Sequence, residues 1–176
     1  MKFVETKLKG AFIIEPEKLE DERGFFARTF CQREFSKHGL NSKIVQCNIS
    51  FNRKKSTLRG MHYQVAPYEE AKLVHCTKGA IYDVIIDLRP CSLTFKQWLA
   101  VDLTAENYRM LYIPEGFAHG FQTLEADTEV FYQMSEFYHP EYARGVRWND
   151  PVFGIGWRIE NPIISTKDQQ HSDFNP

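Results

Sequence analysis

Apolar and polar positions alternate in short runs along most of this chain, and the alternation predicts strands. Runs at 11–14, 43–51, 58–64, 71–77, 80–88, 97–103, 109–113 and 128–135 read as β-structure, separated by turn material such as TKG, RPCSLT and TAEN. Many short strands with few helices predict a sandwich or barrel. The one helical stretch is CQREFSKHG, ending at Gly39 where a C-cap glycine belongs. From Pro140 onward the chain is rich in Pro, Gly, Trp and Asp, and is expected to wrap the sheet irregularly. There is no repeat, low-complexity tract or linker, so residues 1–176 are expected to form a single domain.

Because neighbouring strand side chains point to opposite faces, the alternation also sorts polar residues. In KIVQCNISF, Val45, Cys47, Ile49 and Phe51 share one face, and Gln46 and Asn48 share the other. Lys72 falls with Val74 and Cys76, Asp83 between Ile81 and Ile85, and Tyr132 between Val130 and Met134. Charged groups are rarely buried without a partner, so this apolar company is informative. Each residue also has a simpler reading. Lys72 can lay its stem on a rim, Tyr132 can be a core tyrosine, Asp83 can cap a turn, and Gln46 and Asn48 can face water.

Two further runs, LRGMHYQ and IPEGFAHGF, each set one histidine beside a glycine in a strand-like context. Strands use glycine for a bulge or a close backbone approach. His62 and His119 are thus candidates for a shared site, or for structural bonds to carbonyls.

Composition narrows the partners. With 43% hydrophobic and 26% charged residues the chain is globular, and a formal charge of -1 offers no field for a nucleic acid polymer. Aromatic residues reach 14%, which suits β-structure or a pocket that stacks flat ligands. Cys31, Cys47, Cys76 and Cys91 form no CxxC pair, which excludes zinc-ribbon and thioredoxin-type readings. No apolar run is long enough to span a membrane, and the charged start lacks the core of a signal peptide. A cytoplasmic protein with reduced thiols is expected.

Nine segments in order, DERGFF, VQCNIS, LRGMHYQ, AKLV, YDVIIDLRPCS, IPEGFAHGF, VFYQMSEFY, RWNDP and STKD, resemble the dTDP-4-dehydrorhamnose 3,5-epimerase family of the cupin superfamily. The resemblance implies a mainly β double-stranded β-helix, or jelly roll, with a few short helices. It implies a homodimer without cofactor or metal, inverting carbons 3 and 5 of a nucleotide-linked 4-keto-6-deoxyhexose for deoxysugar and polysaccharide synthesis. By the same resemblance His62 is the base, held by Asp168; Lys72 stabilises an enolate and Tyr132 is the acid. His119 and Asp83 match further active-site positions. Arg23, Phe26, Gln46, Asn48, Arg59, Tyr138 and Lys167 match ligand-contact positions, with Arg23 and Phe26 reaching the neighbouring subunit's substrate. Arg28 stands where the family commonly has Glu. It is expected either to read the nucleobase or to pair with a local carboxylate such as Glu34.

The chemistry suits these residue types. Imidazole titrates at about pH 6.5, a carboxylate on its far nitrogen fixes the tautomer, and an ammonium can hold a developing oxyanion. Three alternatives stay open. One is inversion of a single carbon, or another nucleotide-linked 4-keto sugar. A second is a metal-dependent cupin oxygenase or isomerase using His62, His119 and Glu69 or Glu70. Gln64 in place of the second cupin histidine, and Lys72 nearby, argue against it. The third is a sugar-nucleotide-binding module without turnover.

Overall fold

The computed structural model describes residues 1–175. Fourteen strands and two short helices follow one another as β1 (Lys2–Glu5), β2 (Phe12–Glu15), β3 (Lys18–Asp21), β4 (Gly24–Ala27), α1 (Gln32–Lys37), β5 (Gln46–Asn52), β6 (Thr57–Gln64), β7 (Lys72–Lys78), β8 (Ala80–Asp87), β9 (Trp98–Thr104), β10 (Met110–Ile113), β11 (Phe117–Thr123), β12 (Thr128–Met134), β13 (Ala143–Gly145), β14 (Ile163–Ile164) and α2 (Thr166–Gln169). One sheet has the order β1-β2-β10-β7-β12-β5. The other has β13-β6-β11-β8-β9, with β14 added in parallel to β6, and β3 and β4 form a separate hairpin.

The architecture is the expected jelly roll, two antiparallel sheets face to face. Val74, Cys76, Leu111, Ile113 and Val130 of the first sheet meet Ile81, Ile85, Leu103 and Phe121 of the second in the central core. Each outer face is also covered in part. Helix α1 lays Phe35 against the outer face of the first sheet, beside Ile14, Leu73, Met110 and Tyr112. The tail lays Val146, Phe153, Trp157 and Phe174 against the outer face of the second, on Met61, Val84 and Ile86. A strand covered on both faces loses its polar side, and β8 is accordingly buried at every position. Burying the side chains of such a strand stabilises by about 1.5–3 kcal/mol for each large aliphatic residue.

Most strands lie within a residue or two of the sequence reading, and α1 ends as read, with Gly39 at φ 70°. β1, β3, β4, β13 and β14 were not anticipated. They are short, and only packing on longer strands gives such runs an advantage over coil. On β5 the two faces are grouped as expected but their burial is reversed. Cys47, Ile49 and Phe51 are exposed, while Gln46 and Asn48 face inward. β5 ends its sheet, and α1 does not extend over its outer face. The four cysteines are unpaired, with Cys76 buried in the core.

Candidate active site

The two histidines are neighbours. His62 on β6 lies directly opposite His119 on β11, and the register slips between His119 and Phe121. The adjacent glycines make this approach possible. Gly60 has φ 129°, and a Cβ there would sit 2.5 Å from the Gly120 Cα. Any side chain would separate the strands and with them the histidines.

Each histidine carries its own carboxylate. His62 Nε2 bonds Asp168 Oδ1 at 2.7 Å, and His119 Nε2 bonds Asp83 Oδ1 at 2.7 Å. Asp83 arrives from β8, where Phe121 pairs with Asp83, so Asp83 is a diagonal neighbour of His119 on one face. Asp168 arrives from the tail: β14 docks along the start of β6, and Ser165 caps α2 by accepting the Asp168 N–H at 3.1 Å. Burial works to raise the Asp168 pKa. Hydrogen bonds from His62, the Gly60 N–H and the Ser165 cap outweigh it, so the carboxyl lies below its ordinary value.

Across the barrel, the first sheet contributes Lys72 and Tyr132. β7 and β12 pair with Tyr132 opposite Val74, which places the two side chains near one another on the inner face. Lys72 is not a rim lysine: it is buried, and its Nζ lies 2.9 Å from Glu70 Oε1. Burial pushes the Tyr132 phenol above its ordinary pKa, and Arg59 pulls it back in part. Tyr132 therefore holds its proton at neutral pH.

Two adjoining cavities of about 370 and 420 Å³ share His62, Lys72 and Tyr132. Gln46, Asn48, Glu70, Tyr138, Lys167 and His171 line the first. Arg59, His119, Phe121 and Asp168 line the second, where Arg59 is steadied by Asn52 Oδ1 at 2.7 Å. Gln46 bonds Asn48 and accepts the Tyr138 N–H. Gln64, at the position considered for a metal histidine, instead ties loops together through the Tyr68 and Phe137 carbonyls and the His139 N–H.

Three expected positions lie elsewhere. Arg23 pairs with Asp21 on the exposed hairpin, Phe26 is exposed beside it, and neither lines these cavities. Arg28 also lies off both, its Nη1 2.7 Å from Glu34 Oε1, which is the local pairing rather than a base-reading contact within its own chain. The three-residue metal set is not assembled either. Glu70 is engaged by Lys72 and His119 by Asp83, while the donors that do converge are His62, Asp168 and His171.

Sequence reasoning missed Glu70 as the partner of Lys72 and His171 as a neighbour of Asp168. Both had a signal. Glu70 lies two positions before Lys72, which puts both on one side of an extended chain, and His171 lies three after Asp168, on the same side of a helical turn.

A model of the dTDP-4-dehydrorhamnose 3,5-epimerase family matches residues 5–176. The chain belongs to this family. It is 46% identical over 171 residues to the dTDP-4-dehydrorhamnose 3,5-epimerase of Methanothermobacter thermautotrophicus, covering 96% of this chain and 91% of that one. The crystal structure of the Bacillus anthracis dTDP-4-dehydrorhamnose 3,5-epimerase, with TDP and PPi bound, is similar at TM-score 0.95 and 41% identity, over 98% of this chain and 99% of that one. The Legionella pneumophila dTDP-6-deoxy-D-glucose-3,5-epimerase, in complex with dTDP-4-keto-L-rhamnose, superposes at TM-score 0.91 and 37% identity, over 98% and 92% of the two chains.

Proposed function

We propose that this member of the family inverts carbons 3 and 5 of dTDP-4-dehydro-6-deoxyglucose, giving dTDP-4-dehydro-L-rhamnose for deoxysugar synthesis. The observation that carries the reading is the distribution of His62 and Tyr132 between facing sheets around shared cavities.

The 4-keto group acidifies the hydrogens on carbons 3 and 5, so removing either as a proton gives an enolate. His62 takes the proton, and Asp168 fixes its tautomer and stabilises the imidazolium. A base of this kind contributes about 10²–10⁴-fold. Lys72 donates to the enolate oxygen, worth about 3–4 kcal/mol where water is excluded. Tyr132 returns a proton from the opposite wall, which inverts the carbon. His119, held by Asp83, lines the cavity beside the sugar. Gln46, Asn48, Arg59, Tyr138 and Lys167 hold the nucleotide sugar.

In this reading the enzyme works in the cytoplasm as a homodimer, and no helix among the described residues is long and apolar enough to cross a membrane. Exposed Ile49 and Phe51 on the β5 edge, and Leu19 and Phe26 on the β3–β4 hairpin, supply apolar surface for a second copy. Arg23, Phe26 and Arg28, which lie off the cavities of their own chain, then belong to the neighbouring subunit's site.

Incubation with dTDP-4-keto-6-deoxyglucose in deuterated water, reading carbons 3 and 5 separately, tests the activity. Deuterium at both carbons of an inverted product is expected. Exchange at one carbon would make it a single-carbon epimerase, and none at either would leave a binding module.

A further inference from the structure

We propose that His62, Asp168 and His171 form a site for a zinc-type divalent transition-metal ion, and that its occupancy switches the epimerase off. The second half rests on the reading of His62 as the base.

His171 has no part in the mechanism above, yet its place is built. Its ring crosses the His62 ring edge-on with centroids 5.8 Å apart. It packs over Gly145 of β13, where any Cβ would collide with the imidazole, and Gly145 is the register partner of His62. His171 Nε2 is buried without a hydrogen-bond partner, 3.7 Å from Asp168 Oδ1. A buried ring nitrogen with no partner, beside a carboxylate, is an unsatisfied donor or acceptor that a ligand can complete.

The ligand atoms of the three residues lie within 4.8 Å of one another. Bonds of about 2.0–2.1 Å in a tetrahedral site separate ligand atoms by about 3.3 Å, so the widest pair closes by at most about 1.5 Å. Two imidazoles and one carboxylate suit Zn²⁺ or Co²⁺ and not Mg²⁺ or Ca²⁺. His62 and His171 line the first cavity. Lys72 and Lys167 line that cavity and oppose a cation, but Lys72 is already paired with Glu70. The set is distinct from the cupin arrangement considered above, with which it shares only His62.

The proton balance gives the consequence. In the metal-free pair, His62 Nε2 shares its proton with Asp168. An ion bound at Nε2 takes that lone pair, so the proton of the neutral ring moves to Nδ1. Nδ1 is the nitrogen left to accept the substrate proton, and once protonated it cannot. No charge is lost from the protein, but the base is.

The test uses the full chain stripped with a chelator, titrated with Co²⁺ and followed by visible absorption, with Zn²⁺ as competitor. His171→Gln and His171→Ala are run alongside, their folding checked by circular dichroism. One ion per chain is expected, with binding weakened by about tenfold or more in both variants. Solvent exchange by the wild type should fall over the same free Zn²⁺ range and return with EDTA. Equal Co²⁺ binding by wild type and variants, or none, would overturn the site. His171-dependent binding that leaves exchange untouched would overturn the switch. If the stripped protein shows no epimerase turnover, the functional reading fails, while the Co²⁺ spectra still decide the site.

Discussion

The two carboxylate–histidine pairs have the same chemistry, the same 2.7 Å hydrogen bond and adjacent strands, and they differ in what surrounds them. The His62 side chain is 45% exposed and its carboxylate comes from the tail. The His119 side chain is 11% exposed, and Asp83 is wholly buried between core isoleucines, with Oδ2 unpartnered. An imidazole that must meet a substrate needs an open side and a carboxylate on the other. The first pair has that form. The second is enclosed, so its carboxylate serves the barrel as much as the cavity. Chemically alike pairs thus differ in their access to the cavity, and the roles proposed for them follow that difference.

The largest expected effect is on the open pair. His62→Asn is expected to lower turnover by about 10²–10⁴-fold while leaving the unfolding midpoint near that of the wild type. Turnover within a few-fold of wild type would remove His62 as the base. Next, Tyr132→Phe keeps the ring's packing and removes the proton from the opposite wall. Inversion should then fall much more than deuterium uptake, because His62 can still take and return a proton on its own face. Equal losses of the two would count against Tyr132 as the acid.

Stability should show the reverse ranking of the pairs. Asp83→Ala strands the His119 nitrogen inside the barrel, which costs about 1–3 kcal/mol. Asp168→Asn keeps an acceptor for the buried Gly60 N–H and leaves a half-exposed His62 that water can satisfy, so its cost is about 1 kcal/mol or less. Urea midpoints at constant m separate the two, and equal costs would erase the distinction drawn from burial.

The smallest effect is in pH. The Asp168 pKa is lowered in the folded state from 3.8, so its contribution is complete above that value and is lost as pH falls through the depressed one. The stability gap between wild type and Asp168→Asn should be constant near neutrality and close only in acid below 3.8. A gap that closed between pH 5 and 7 would point to a different group.

Much of this was legible in the sequence. Period-two alternation located the long strands, and glycines beside His62 and His119 announced a close approach that Gly60 and Gly120 make. What was hidden depends on partners far along the chain. That Asp83 serves His119 follows from β8–β11 register, and no local pattern encodes register between strands. The reversed burial of β5 was hidden for a related reason: alternation names two faces but not which of them the rest of the molecule covers.

Solvent exchange by His62→Asn and His119→Asn, measured together at carbons 3 and 5, decides which histidine is the base. No enzyme-dependent deuterium is expected at either carbon with His62→Asn, and slowed but persistent uptake with His119→Asn. Uptake that survives loss of His62 and disappears with His119 would contradict this, and would make the enclosed pair the base.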